Sequence, residues 1–262
     1  FPGKSIVHKL DPRVKIISII LLVVTIFLSK TYAGFALMFI TALSLIAVSH
    51  IRFSTVLKSL KPVLFILAFT MVANIFWTSG EHPLLEFGFI HIYAEGVIYA
   101  VLMALRIVCL IVVTFVLLTY TTSPVALTDA LERLLHPLAK LKLPVHEFSM
   151  MMSIALRFIP TLLEETDKIM NAQKARGADM ETGSLTQRAK ALIPILIPLF
   201  VSAFRRADEL ALAMECRCYR GSVGRTRMKQ LEYAKRDFVA LAVMLLCLAL
   251  VIVINIYFPK MI

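Results

Sequence analysis

The sequence predicts an all-α integral membrane protein, with about five transmembrane helices and three amphipathic cytoplasmic or interfacial helices between the fourth and fifth spans. Hydrophobic residues occupy 59% of the 262 positions and charged residues only 17%, so a water-soluble fold would expose more apolar surface than one core can bury. In apolar stretches such as Ile107 to Leu118, polar and apolar residues do not alternate. Uninterrupted runs are typical of membrane helices and not of barrel strands.

Five apolar blocks are predicted spans, each near the length of about 17 to 25 helical residues that crossing a bilayer takes. The first block is the shortest, and it reaches this length only if Lys15 and Lys30 extend their ammonium groups toward the lipid headgroups. A sixth block, as short as the first, lies at 191–204, within the charged middle of the chain. The five predicted spans are residues 16–29, 32–49, 63–78, 97–120 and 238–258.

The distribution of the 28 Lys and Arg residues indicates the orientation of the spans. Four of these residues precede the first span, three lie between the second and third, and eighteen lie between 121 and 237. The positive-inside rule places these three segments in the cytoplasm and the acidic segment 79–95 outside. Topology therefore explains the net charge of +11. Because no compact basic domain is present, we expect no nucleic-acid partner.

The chain is thus predicted to consist of an N-terminal region of four spans at 1–120, a cytoplasmic helical region at 121–237 and a last span at 238–262. More than a hundred residues between two spans must form structure of their own. The middle region opens with Thr-Thr-Ser-Pro at 121–124, a hydroxyl cap followed by a proline at the first helical position. A short amphipathic helix is expected to follow it.

A longer helix is predicted after Pro144, with an apolar stripe that leads directly to Arg176. Gly177 is suited to the left-handed cap that ends a helix, so Ala175 and Arg176 should form the tip. The stripe advances by steps of three and four through Phe148, Met152, Ala155, Ile159, Leu162, Thr166, Ile169 and Gln173.

A second long helix is predicted from near Arg188 to Arg217, with a similar stripe. Pro194 and Pro198 would kink its start or restrict it to an irregular entry at the membrane surface. Small residues recur every fourth position, which lets another helix cross at short distance. The predicted crossing and partner-contact residues on the two helices are Phe148, Met152, Ala203, Ala207 and Ala211.

An alternative is that 191–204 forms a sixth span. This topology would place seven Lys and Arg residues between 217 and 236 on the outer side, against the positive-inside rule. The interfacial helix is therefore the favoured interpretation.

Several of these stretches together resemble one protein family. Ala-Leu-Arg-Phe-Ile-Pro at 155–160 leads to Gln-Lys-Ala-Arg-Gly-Ala at 173–178, Leu-Asp-Pro-Arg-Val-Lys lies at 10–15, and Thr-Thr-Ser-Pro lies at 121–124. In order and spacing they resemble EcfT, the transmembrane T component of energy-coupling factor (ECF) transporters, over nearly the whole chain. ECF transporters are ATP-driven importers of the ABC type.

The resemblance implies that Arg176 and Arg217 each dock on one of two cytoplasmic ATPase subunits. Ala175-Arg176-Gly177 matches the family's Ala-Arg-Gly motif, whereas the second site reads Glu215-Cys216-Arg217-Cys218 and keeps only the arginine. Without a glycine at 218, the second helix could run on toward Gly221.

The resemblance also implies a substrate-binding membrane S subunit as a partner, and a multi-pass location in the plasma membrane of a prokaryote. It implies a vitamin or a transition-metal ion as solute, of which we expect a vitamin. The chain itself should be a non-catalytic coupling subunit. It contains no Gly-x-x-x-x-Gly-Lys-Ser/Thr nucleotide loop and no zinc-protease motif, so we expect no cofactor and no metal site.

Arg106 lies near the middle of the fourth predicted span, where a charge costs about 2.5 kcal/mol or more, so it is a candidate functional residue. The alternative is structural, with its guanidinium bound to backbone carbonyls or a lipid headgroup. A stand-alone secondary transporter or channel-like protein is the other functional class to consider, but the spans show no second buried charge and no paired half-repeats.

Overall fold

The computed structural model describes most of the chain as helices in two compact units, one formed by 1–127 with 229–262 and the other by 128–228. The all-α membrane class is confirmed. The described residues are 5–78, 83–87, 90–137, 144–178, 184–221 and 231–258. The α-helices are α1 Pro12–Leu28, α2 Tyr32–Ser49, α3 Phe53–Leu60, α4 Leu64–Trp77, α5 Ala94–Thr114, α6 Pro124–Leu135, α7 Val145–Ala175, α8 Leu185–Cys216 and α9 Lys235–Tyr257.

A small antiparallel hairpin was not predicted from the sequence. Its strands, β1 at Pro83–Phe87 and β2 at Ile90–Tyr93, lie between α4 and α5 in the segment that the charge distribution places outside. Two short turns complete the first unit: a 3₁₀ turn at Lys61–Val63 joins α3 to α4, and a π-helical turn at Phe115–Thr119 extends α5.

The core of the first unit lies among α1, α2, α5 and α9. Helix α1 packs against α9, and α5 packs against α2 and α4. The most deeply buried members of the core include Leu22, Val113, Val116, Leu117 and Val251. Helix α4 keeps most of its surface exposed, with Trp77 89% exposed, as expected where lipid is the neighbouring medium.

Lys15 does not extend toward the headgroups, so this part of the prediction was wrong. Its side chain is 1% exposed, and its ammonium group donates to the backbone oxygen of Thr121 at 2.7 Å and to Thr122 Oγ1 at 3.2 Å. Protein oxygens at the end of α5 take the place of headgroups and water. They satisfy a charge that would otherwise be costly to bury.

Five described helical segments are long and apolar enough to cross a membrane: 32–49, 53–77, 94–119, 186–216 and 235–257. Five spans were also predicted, but the segments differ: 186–216 is among the five found here, and the predicted first span is not. The predicted first span lies in α1, which has 17 residues. The segment at 186–216 is in α8, the predicted interfacial helix, and its mean hydropathy of 1.3 is the lowest of the five.

Residues 185–216 form one continuous helix that contains both Pro194 and Pro198, so the described part of α8 has no irregular entry. It begins earlier than predicted, at Leu185, because Ser184 and Gln187 form a reciprocal capping box. Helix α6 begins at Pro124 as predicted, with Ser123 Oγ accepting from the Ala126 amide at 3.3 Å.

The native cysteines distinguish the two topologies of α8. Cys216 and Cys218, at its C-terminal end, are exposed, whereas Cys109 and Cys247 are buried. With the C-terminal end of α8 in the cytoplasm, a membrane-impermeant maleimide should leave the protein unlabelled in intact cells and label it in inside-out vesicles. The Cys216→Ser, Cys218→Ser double variant is the control for site specificity. Labelling of those two cysteines in intact cells would mean that α8 crosses the membrane.

Candidate partner-docking site

Helix α7 ends with Arg176 at its C-cap, as the sequence predicts. Gly177 follows with φ +87°, its amide donates to the Lys174 carbonyl, and the Ala178 amide donates to the Gln173 carbonyl, both at 3.0 Å. This pair of hydrogen bonds is the Schellman motif, which needs a left-handed residue after the C-cap. Ala175, Arg176 and Gly177 are all exposed, so the guanidinium lies at a capped, solvent-facing tip.

Helix α8 ends in the same way although it lacks the glycine. The Cys218 amide donates to the Glu215 carbonyl at 2.8 Å, and the Tyr219 amide donates to the Met214 carbonyl at 3.1 Å. Cys218 supplies the left-handed residue with φ 54°. The helix therefore stops at Cys216 and does not run on toward Gly221. Glu215 and Arg217 are exposed, and Arg217 occupies the same cap position as Arg176.

A single carboxylate joins α7 to α8. Glu165 Oε1 accepts from Ser202 Oγ at 2.5 Å, and Glu165 Oε2 accepts from Arg206 Nη2 at 3.0 Å. Ser202 and Arg206 are one helical turn apart, so they present both donors on one face of α8. The hydrogen bonds from Ser202 and then Arg206 lower the pKa of Glu165 below its ordinary value.

A second contact joins the two helices where proline leaves a carbonyl without its helical donor. In an α-helix the carbonyl of residue 194 would accept from the amide of residue 198, but Pro198 has no N–H. Gln173 Nε2 of α7 donates to the Pro194 carbonyl, at 3.4 Å. The side chain of α7 thus supplies the hydrogen bond that the backbone of α8 cannot make.

The two contacts fix the relative direction of the helices. From Glu165 to Gln173 the chain of α7 advances, while the partners on α8 recede from Ser202 to Pro194. The helices therefore run antiparallel through the crossing, and their arginine tips point in opposite directions. Gln173 lies one turn before Arg176, whereas Arg217 lies 23 residues beyond Pro194, about 35 Å at 1.5 Å per residue.

The predicted crossing residues are only partly at this contact. Ala203, next to Ser202, is half-buried, while Ala207 and Ala211 are exposed. Phe148 is 59% exposed and Met152 is 39% exposed. Apolar side chains with this exposure remain available for a partner helix.

Sequence reasoning missed Glu165, Ser202 and Arg206. Glu165 lies in an acidic cluster with Glu164 and Asp167 that is typical of a solvated helix face, and its partners are about 40 positions away in the chain. The spacing of Ser202 and Arg206 was a weak signal, because a donor pair at i and i+4 does not identify its acceptor.

Arg106 lies in the first unit, on α5, and contacts residues 29 and 35 of the same unit. Its Nη2 donates to the backbone carbonyl of Ser29 at 2.7 Å, and its guanidinium lies 5.0 Å from the centre of the Phe35 ring. Ser29 is the C-cap of α1, where a cation also interacts favourably with the helix dipole. A guanidinium bound to a backbone carbonyl is the structural role that the sequence left open as an alternative to a functional one. Within the described ranges, no three His, Cys, Asp or Glu side chains are grouped to hold a metal ion.

The role of Glu165 gives a pH-dependent prediction. Since folding lowers its pKa, it stabilises the fold above its ordinary pKa of 4.5, and this stabilisation is lost as the pH falls through the lower, folded-state pKa. Glu165→Gln should therefore lower the thermal unfolding midpoint of the detergent-solubilised protein at pH 7, and the difference from the wild type should narrow as the medium is acidified. Glu164→Gln, on the exposed neighbour, is the control. Equal midpoints at pH 7 would contradict the interhelical role.

The cap at Cys218 gives a second prediction. A side chain in the left-handed region costs about 1 to 2 kcal/mol, part of which glycine's larger unfolded-state entropy offsets. Cys218→Gly should therefore stabilise the protein by about 0.5 to 1 kcal/mol, measured as a raised unfolding midpoint. Cys216→Gly, on the last helical residue, should give no gain. A loss of stability in Cys218→Gly would show that the thiol makes a contact worth more than the cost of the left-handed backbone conformation.

Comparisons with known proteins agree with the sequence motifs. The family model for CbiQ, described as a cobalt transport protein, matches residues 3–230, which is most of the chain.

Curated relatives match as much of the chain or more. A protein of Clostridium kluyveri is 53% identical over 252 residues, which cover 95% of this chain and 93% of the relative. One of Ruminiclostridium cellulolyticum is 52% identical and covers 98% of this chain and 96% of the relative. One of Bacillus subtilis is 48% identical, with 90% and 89% covered. Each is named energy-coupling factor transporter transmembrane protein EcfT. The chain belongs to this EcfT family of ECF transporter transmembrane components.

Proposed function

We propose that this chain couples ATP hydrolysis by two cytoplasmic ABC ATPase subunits to a substrate-binding S subunit in the plasma membrane of a prokaryote, for uptake of a micronutrient. One observation carries the proposal. Two long helices of the same unit cross, and each ends in an exposed arginine held at a capped tip. Catalysis belongs to the partners in this proposal, and the chain acts as a mechanical link.

The chemistry of the tips suits docking into an acidic groove. Guanidinium is always protonated and presents a fork of donors that matches a carboxylate. The Schellman cap satisfies the last backbone groups of each helix, so the arginine side chain is the group that the tip presents to a partner. An arginine anchored in a desolvated pocket is a frequent hot spot of protein interfaces.

The opposite directions of the tips support two separate docking events. One ATPase subunit on Arg176 and one on Arg217 would lie on opposite sides of the crossing. The Glu165 contact would then transmit a change in the spacing of the two ATPases from one helix to the other, because Ser202 and Arg206 bind the same carboxylate.

The S subunit fits the apolar surfaces of the same two helices. Phe148 and Met151 on α7 and Phe200 and Phe204 on α8 are more than half exposed. Methionine adapts its side chain to different partners at low cost, which suits a surface that changes its contacts during a transport cycle. We propose a vitamin as solute, ahead of a transition-metal ion.

Charge reversal at each tip tests the docking. In complexes purified in mild detergent, Arg176→Glu and Arg217→Glu should each weaken ATPase binding, by about 2 kcal/mol or more if each is a hot spot, which is about 30-fold in Kd. Each variant should release one ATPase subunit and abolish ATP-driven uptake, while the unfolding midpoint of the isolated chain stays unchanged. The measurements are copurification stoichiometry and uptake of radiolabelled riboflavin, thiamine, biotin and folate into proteoliposomes.

Arg220→Glu is the matched control, because Arg220 is exposed and lies three residues beyond Arg217, past the end of α8. It should leave binding and uptake at the wild-type level. Full ATPase stoichiometry in both tip variants would contradict the docking proposal. Uptake by the purified chain without any ATPase would instead support the secondary-transporter alternative.

A further inference from the structure

The start of α1 carries buried charges that the docking tips do not use. Asp11 is 6% exposed, Arg13 8% and Lys15 1%. All three belong to the first unit, so they are not part of the crossed helices. Charged groups this deep in a protein are unfavourable unless they are paired. Here Lys15 and Arg13 have partners in two segments that are distant in the chain.

Lys15 binds the segment that follows α5. Its ammonium donates to the Thr121 carbonyl, to Thr122 Oγ1 and, at 3.5 Å, to the His8 carbonyl. Three donors thus meet three oxygen acceptors. The ammonium also lies at the C-terminal end of a helix, where its charge is favoured by the helix dipole.

Arg13 binds the segment that precedes α9, while the backbone amide of Asp11 binds the first turn of α9. Arg13 Nη2 donates to the Leu231 carbonyl at 3.0 Å, and its guanidinium lies 3.9 Å from the centre of the Tyr233 ring. The Asp11 amide donates to Asp237 Oδ1 at 2.8 Å, and the Ala234 amide donates to Asp237 Oδ2 at 2.7 Å. Arg13 and Asp11 also form an ion pair at 2.8 Å.

The second unit comprises 128–228, so these two segments are the described non-helical stretches of the first unit that flank it on either side along the chain. We call them the roots, residues 120–123 and 231–234. Both are non-helical backbone between helices. Short stretches of this kind are where hinge motion is commonly absorbed.

We propose that Asp11, Arg13 and Lys15 are positioning residues for coupling, which hold the two roots so that movement of the second unit reaches the membrane helices. The inference rests on the proposed coupling function. Without these contacts, the roots would bend when the ATPase-bound helices move. Hydrogen bonds and ion pairs suit this task better than apolar packing, because they specify one geometry for each root.

The central test is Lys15→Met in the complete complex, which keeps the length of the side chain and removes its donors. We expect both ATPases to copurify and ATP hydrolysis to persist, while uptake of the radiolabelled vitamins per ATP hydrolysed falls about tenfold. A merely structural role would lower hydrolysis and uptake together and leave their ratio unchanged. Lys9→Met, an exposed lysine of the same segment, is the control.

Hydrogen exchange of the root amides provides a measurement that does not depend on the solute. Lys15→Met should speed exchange at 120–123 in the complex, and Lys9→Met should not. If Lys15→Met fails to reach the membrane, Thr122→Ala is the substitute variant, because it removes one acceptor of Lys15. It should lower the ratio of uptake to hydrolysis and speed exchange at 120–123, each by a smaller amount.

An unchanged ratio of uptake to hydrolysis, or unchanged root exchange, in variants that assemble would overturn the inference. The proposed coupling function fails separately, if the Arg176→Glu and Arg217→Glu complexes retain both ATPases.

Discussion

The geometry of the second unit depends on the carboxylate of Glu165. It accepts from Ser202 and Arg206 at once, so it fixes both the position at which α7 and α8 meet and the rotation of each helix about its axis. An apolar crossing could slide by a turn with little change in buried area, whereas two donors on one acceptor allow one register. Because the tips are extensions of these helices, their opposite directions follow from this contact together with the hydrogen bond from Gln173 to the Pro194 carbonyl.

The sequence was sufficient where the cause of structure is local. Helix α7 starts after Pro144 and ends before Gly177, and α6 starts at Pro124, because proline and glycine act on their own backbone. It was insufficient at Cys218, where a left-handed residue without glycine depends on how well the rest of the cap is satisfied. The hairpin between α4 and α5 was also missed.

In the candidate site, too, local sequence signals located some residues and missed others. The stripe and the glycine located Arg176, and the stripe alone located Arg217. By contrast, nothing near Glu165 in the sequence indicates a partner on another helix, and Lys15 looks like any lysine at the edge of a membrane span. Both side chains are explained by acceptors or donors far away in the chain, at Thr121 for Lys15 and at Arg206 for Glu165. Such pairings become visible only when the fold is known.

The hydrogen bond from Gln173 to the Pro194 carbonyl has an evolutionary consequence for positions 173 and 198. If a lineage replaces Pro198 with any other residue, the new backbone amide occupies the Pro194 carbonyl from within α8, and the amide side chain at 173 loses its partner. Selection for an amide at 173 would then relax. Positions 173 and 198, which do not bond to each other, should therefore evolve as a correlated pair.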